Sequence, residues 1–218
     1  EHEGVRRSIT SKAVINTAGP FASSVSELLD SKTKAGLVFS KGIHLVLRRK
    51  ITKTDDVLAF WDEQGRLFYV LPMGDRSMVG TTDTRVTDPH TEVDQTDRDF
   101  VLKQINAQLE GDQILPEDII SERSGVRPLV IENSAQANTA DWHQLSRKHV
   151  IETNLEKSVV TVLGGKLTDC LNVGEEVVAE LKRLGFPVSK PRDWFGESDQ
   201  QHKQSFFAQV ARTVSYTH

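Results

Sequence analysis

The stretch from Thr161 to Gly185, TVLGGKLTDCLNVGEEVVAELKRLG, leaves the chain little freedom. It begins as a β-rich apolar run and ends as a helix with Leu171, Val177, Val178, Leu181 and Leu184 on one side. Gly164, Gly165 and Lys166 stand between the two. A strand that runs into a helix belongs to a layered α/β arrangement, because each element must bury its apolar side against another. The two glycines let a ligand or cofactor come close to the backbone, and the helix N-terminus beyond them offers unpaired N–H groups and a partial positive charge. Lys166 adds a full charge. Such a turn suits an anion, or negative charge that develops during a reaction. A connection that needs glycine only for its geometry, with a solvated lysine, explains the same residues.

The rest of the chain supplies strands of a different kind. Lys12–Asn16 reads as a buried strand, followed by a tight Ala18-Gly19-Pro20 turn and a helix to about Leu29. KGIHLVLRRK, VLAFWDEQGRLFYVLP with its Gln64-Gly65 turn, and DRSMVGTTDT after a Gly74-Asp75 turn read together as an antiparallel meander. A helix is expected over Asp97–Leu109, capped by Thr96 with Asp99 three residues on. EDIISERSGVRPLV returns as a strand, residues 131–144 as a polar loop, and KHVIET with SVVTVLG as a hairpin closed by NLEK. After Pro187 the pattern lapses into a linker, and SFFAQVARTVSYTH opens a further helical element.

Composition narrows the function classes. With 37% hydrophobic and 27% charged residues, the chain is of soluble globular type. A net charge of −4 provides no general attraction to nucleic acid or anionic lipid. The single cysteine, Cys170, excludes an internal disulfide. No metal-ligand spacing occurs, and neither a Walker motif nor a G-x-G-x-x-G is present, so no metal is expected.

Beyond the Gly-Gly-Lys turn, three stretches can carry chemistry. Arg127 in SGVRPL, and Arg147 after the polar loop, have the planar fork that grips phosphate or carboxylate, although most arginines are simply exposed. His44 in SKGIHLV lies in an alternating strand and titrates near neutral pH, although a lone strand histidine is more often structural. Thr81, Thr82 and Asp83 can cap a turn or orient a ligand.

VINTAGPFA, SKGIHLV, FYVLPMGDRSMVGTTDT, SGVRPLV, LSRKHVIE and VLGGKLTDCLNVGEEVV together resemble, in order and approximate spacing, the FAD-dependent glycerol-3-phosphate dehydrogenases of the D-amino-acid-oxidase-like flavoproteins. The resemblance covers about Ser11 to Leu184. It implies a mixed α/β (α+β) fold: part of a Rossmann-like FAD domain, over about 11–30 and 158–185, with an antiparallel substrate-domain sheet over about 36–155. Residues 1–187 then form a partial oxidoreductase domain, and 188–218 a linker and the start of a C-terminal helical domain.

The resemblance also implies roles. FAD contacts fall to Ala18, Gly19, Gly164, Gly165, Lys166, Leu167 and Thr168, with the last helix N-terminus facing the pyrimidine end of the isoalloxazine. Arg127 and Arg147 become a phosphate clamp, and His44 and Lys166 the catalytic pair, either of them the base. The implied reaction is oxidation of sn-glycerol 3-phosphate to dihydroxyacetone phosphate, with quinone as electron acceptor. A glycerol-3-phosphate oxidase, a related amine or hydroxy-acid oxidase, and a truncated non-catalytic binding module are the alternatives. The resemblance implies a cytoplasmic protein, with room for peripheral attachment to the membrane and for a homodimer. The opening EHEGVRRSIT and the lack of a dinucleotide fingerprint lead us to expect an internal fragment that binds FAD weakly or not at all alone.

Overall fold

The computed structural model describes residues 8–63, 65–111, 113–132, 148–189 and 198–214. Contacts divide the chain into two units, Glu1–Gly185 and Phe186–His218. The first contains two sheets. The smaller has the order β1 (Val14–Asn16), β9 (Val159–Gly164), β8 (His149–Asn154), with β1 and β9 parallel and β8 and β9 antiparallel. The larger is antiparallel and runs β3 (Leu58–Trp61), β4 (Leu67–Met73), β5 (Arg76–Gly80), β2 (Gly36–Leu47), β6 (Thr84–Val86), with β7 (Ile119–Ile131) along the other edge of β2.

The expected meander holds only for β3, β4 and β5. β2 precedes them in sequence but pairs with β5, not β3. Its 12 residues explain this: it is long enough to take β5 and β6 in turn on one edge and β7 along the other. The expected extent of the antiparallel sheet, about 36–155, also needs correction. β8 leaves that sheet and pairs with β9, because the NLEK hairpin ties it to the neighbouring strand.

Alternation along β2 decides what each face does. Ile43, Leu45 and Leu47 are fully buried against Phe68, Val70 and Val79 and against Val101 and Ile105 of helix α2 (Gln95–Asn106). Ser40, Gly42 and His44 point the other way. The cap of helix α2 lies two residues before the expected one. Asp94 accepts from Asp97 N–H (3.0 Å) and Asp97 accepts from Asp94 N–H (3.1 Å), a reciprocal capping box in place of Thr96 and Asp99. A lysine settles the choice. Lys41 Nζ lies 2.9 Å from Asp94 and 2.6 Å from Asp97, so both caps are also ion-pair partners.

In the smaller sheet, Asn16 donates to Ala22 O (2.8 Å) and Ser26 Oγ (3.1 Å), holding helix α1 (Ala22–Leu28) against the Ala18-Gly19-Pro20 turn. Helix α3 (Cys170–Arg183) follows β9 after a single 3₁₀ turn over Leu167–Asp169. Val173, Val177, Leu181 and Leu184 pack on Val160 and Val162. Leu171, expected on that stripe, is instead exposed, because it lies two residues from the inward-facing Val173 and so on the opposite side of the helix. The second unit carries helix α4 (Gln200–Val214), which begins with Asp199 accepting from His202 N–H.

Candidate functional site

The two sheets present two groups of candidate residues. The first lies where the parallel strands end. β1 leads into Thr17 and Gly19, and β9 into Gly164, Gly165, Lys166 and Leu167, and these residues line one cavity of about 520 Å³. The carboxyl ends of parallel strands are where open α/β sheets bind ligands. Gly164 and Gly165 have φ of +68° and +96°, a region that side chains avoid. A Cβ on Gly164 would also lie 2.5 Å from Val130 Cγ2 and 3.4 Å from Pro128 O, so β9 can approach β7 only through glycine. Lys166 is exposed at the mouth. Ala18 and Thr168 flank this cavity rather than line it; Ala18 N–H is held by Asn16 Oδ1 at 3.2 Å.

The second group lies on the larger sheet, on the face opposite the hydrophobic core. Three sequence motifs meet there because of register: His44 stands opposite Gly80 on one side and Arg123 on the other, and Ser40 stands opposite Arg127. Both glycines give room to a functional side chain. A Cβ on Gly42 would come within 2.6 Å of Arg127 Cζ, so the guanidinium lies over a bare backbone. A Cβ on Gly80 would come within 2.8 Å of His44 Cδ2. Arg127 donates to Thr81 Oγ1 (3.1 Å) and, at 3.4 Å, to Thr82 O and Ser40 Oγ. Asp83 stands 3.7 Å from the same guanidinium, accepts from Ser40 Oγ, and lies 3.2 Å from Arg66. The Thr81-Thr82-Asp83 stretch thus orients Arg127.

His44 titrates low. Burial, first, and then the positive charges of Arg127 and Arg123 hold its imidazole below the ordinary value of 6.5. The ring is therefore neutral at physiological pH and able to accept a proton.

His44 and Arg127 line the same cavity of about 330 Å³, whereas Lys166 lines the one at the end of the parallel strands. Arg147 lies outside the described residues. Two residues escaped the sequence reading. Arg123 shares the cavity of His44 and Arg127, and the signal was its i, i+4 spacing from Arg127 on one strand face. His149 bridges Asp169 (3.2 Å) and Glu176 (3.1 Å) and so fastens β8 to the turn after Lys166; nothing in the sequence marked that contact.

This arrangement has known counterparts. The family described as DAO, FAD dependent oxidoreductase, matches residues 1–165. The chain belongs to that family. Among curated relatives, the aerobic glycerol-3-phosphate dehydrogenase of Bacillus subtilis is 32% identical over 172 residues, covering 78% of this chain and 30% of the relative. The mitochondrial glycerol-3-phosphate dehydrogenase of Mesocricetus auratus is 30% identical over 178 residues, covering 80% of this chain and 24% of the relative. Among solved structures, the glycerol-3-phosphate dehydrogenase of Bacillus halodurans complexed with FAD superposes with a TM-score of 0.68 at 25% identity, over 95% of this chain and 40% of that one. The chain therefore spans less than a third of the length of these two curated relatives. The mixed α/β fold with its two sheets is the fold of this oxidoreductase family. No helix among the described residues is long and apolar enough to cross a membrane.

Proposed function

We propose that this chain is the substrate-side portion of a flavoenzyme that oxidises sn-glycerol 3-phosphate to dihydroxyacetone phosphate. One observation carries the reading: a half-buried, neutral His44 and a guanidinium laid over Gly42 line the same cavity. A base near a fixed cation fits a substrate with a hydroxyl to deprotonate and a phosphate to anchor.

The fit to FAD rests on the glycine cradle. Gly164 and Gly165 lack the side chains that would fill the cavity wall, and the α3 N-terminus and Lys166 supply positive charge beside it. With Ala18, Gly19, Leu167 and Thr168 they are the residues that would hold the cofactor. When bound, FAD supplies the two-electron acceptor for a hydride from substrate C2. The chain's own residues do the rest. Arg127, joined by Arg147, holds the phosphate and so fixes the distance from anchor to C2. His44 accepts the C2 hydroxyl proton. Lys166 contributes charge where negative charge grows. We assign quinone as the acceptor beyond the flavin, and peripheral membrane attachment and a homodimer as the working state.

The test is anaerobic reduction of the FAD-loaded protein. The oxidised flavin band bleaches with glycerol 3-phosphate and persists with glycerol and with glycine. Bleaching by glycine in place of glycerol 3-phosphate would overturn the substrate assignment, and failure to bind FAD at all would support the reading of this chain as part of a longer enzyme. Rapid reoxidation by air would make the protein an oxidase.

Gly42→Ala tests the anchor directly. The added methyl collides with the far end of a flexible side chain, so the fold survives and the guanidinium moves off by an ångström or more. Steady-state kinetics should show KM for glycerol 3-phosphate rising by about tenfold to a hundredfold, the order of loss that small misplacements cause. An unchanged melting temperature with unchanged KM would remove Arg127 from the anchor.

A further inference from the structure

Three positions of β7 share the face that carries His44. Strand alternation puts Arg123, Gly125 and Arg127 on one side, and their partners on β2 are His44, Gly42 and Ser40. The centre of this face is therefore two facing glycines, with an arginine at each end and the histidine beside one of them. Gly125 is open, since a Cβ there would meet nothing within 4 Å. The trough so formed is part of the cavity of about 330 Å³.

The two arginines differ in their engagements. Arg127 is directed by Thr81, Thr82 and Ser40. Arg123 is exposed and has no hydrogen bond or ion pair with the described residues. The acidic neighbour on its own strand does not neutralise it. Glu122 is turned to the opposite face, where Arg98 of α2 grips it at 2.5 and 2.8 Å. Of the strands that flank His44, β5 contributes only Gly80 at that register. The charges around the trough are thus the two guanidiniums, with Asp83 at the far end beside Arg127 and with Asp75 and Arg76 lining an adjoining cavity that Arg123 shares.

We propose that Arg123 is a second anion-binding residue of this site, a specificity determinant that helps select a phosphomonoester dianion over an uncharged polyol. The inference rests on the substrate assignment above. Two forks facing one trough can divide the oxygens of a dianion between them, and an exposed one meets the incoming ligand first. Arg123 lies beside His44, not beyond Arg127, so it also adds positive charge next to the base.

The test uses Arg123→Gln and Arg123→Lys, with inorganic phosphate as the probe in the FAD-loaded protein. Expected for Arg123→Gln are an inhibition constant for inorganic phosphate and a KM for glycerol 3-phosphate that each rise about tenfold, with kcat falling far less, as suits one lost charged contact. The NMR titration midpoint of His44 rises, because one of the charges holding it down is gone. Arg123→Lys keeps the low His44 midpoint and recovers part of the phosphate affinity. Unchanged phosphate inhibition and unchanged KM in Arg123→Gln would overturn the proposal, as would a loss of kcat alone. If the parent protein does not oxidise glycerol 3-phosphate, the substrate assignment fails by itself. The His44 midpoint, followed by NMR with and without inorganic phosphate in the parent and in Arg123→Gln, still decides whether Arg123 binds the anion.

Discussion

Arg127→Met is expected to lower kcat/KM for glycerol 3-phosphate by about a thousandfold while leaving the protein folded. The estimate follows from the two charged hydrogen bonds that a fork makes to a phosphate, each worth about 1.5–3 kcal/mol. Added together they span roughly two to four powers of ten. Folding is spared because the groups around Arg127 keep other partners. Asp83 retains Arg66 at 3.2 Å, and Ser40 Oγ retains Asp83. Arg127→Lys restores the charge but not the fork and should recover only part of the loss. The pH profile gives an independent reading. The active base is the neutral imidazole, and in the parent protein it stays neutral to below pH 6.5. Removing Arg127 takes away the larger of the two charges that oppose its protonation, so the acidic limb of kcat/KM moves up towards 6.5. The same sign holds for folding. Because the folded ring binds its proton less tightly than the unfolded one, stability falls as pH drops below 6.5 and is unaffected above it. A variant with the parent's pH limb and a thousandfold lower rate would place Arg127 at the substrate but away from His44.

Legibility followed the range of the interactions. The helical stripe of α3, the hairpin β8–β9 and the core strands were readable because local periodicity fixes them: Val177, Leu181 and Leu184 do pack inward. Register was not readable. SKGIHLV, GTTD and SGVRPL each carry a glycine, but only pairing across β2 shows that Gly42 makes room for Arg127 and Gly80 for His44. The position of β2 beside β5 was missed for the same reason, since nothing local tells a 12-residue strand which neighbour it takes. The helix cap was misplaced by two residues because Thr96 and Asp99 satisfy the pattern as well as Asp94 and Asp97 do; the buried amine of Lys41, far away in sequence, breaks the tie. Arg123 and His149 illustrate the other limit. A charged residue in an alternating strand looks solvated until the opposite strand shows what it faces.

Lys41→Met should be the most destabilising single substitution near the site, costing about 3–5 kcal/mol, the usual penalty for stripping one partner from a buried ion pair. Lys41 occupies the core-facing phase of β2, between Gly42 and Ser40 on the other face, and its side chain is only 6% exposed. Its partner Asp97 is 5% exposed, whereas Asp94 is 59% exposed and can turn to water. The cost therefore falls on Asp97, left with its capping bond to Asp94 N–H and no cation. For a chain of this size the loss corresponds to a fall in melting temperature of about 6–20 °C. Adding Asp97→Asn should recover part of it, because the cap remains and the buried charge is gone. Acid titration supplies the sign. The hydrogen bond from Lys41 is the main reason that Asp94 titrates below 3.8. The stability it contributes is present above 3.8 and is lost as pH falls through the lower, folded value; in Lys41→Met the Asp94 midpoint moves back up towards 3.8. If the double variant melts no higher than Lys41→Met alone, an uncompensated Asp97 is not the cause. A parent-like melting temperature with lost turnover would instead move Lys41 from the scaffold to the reaction.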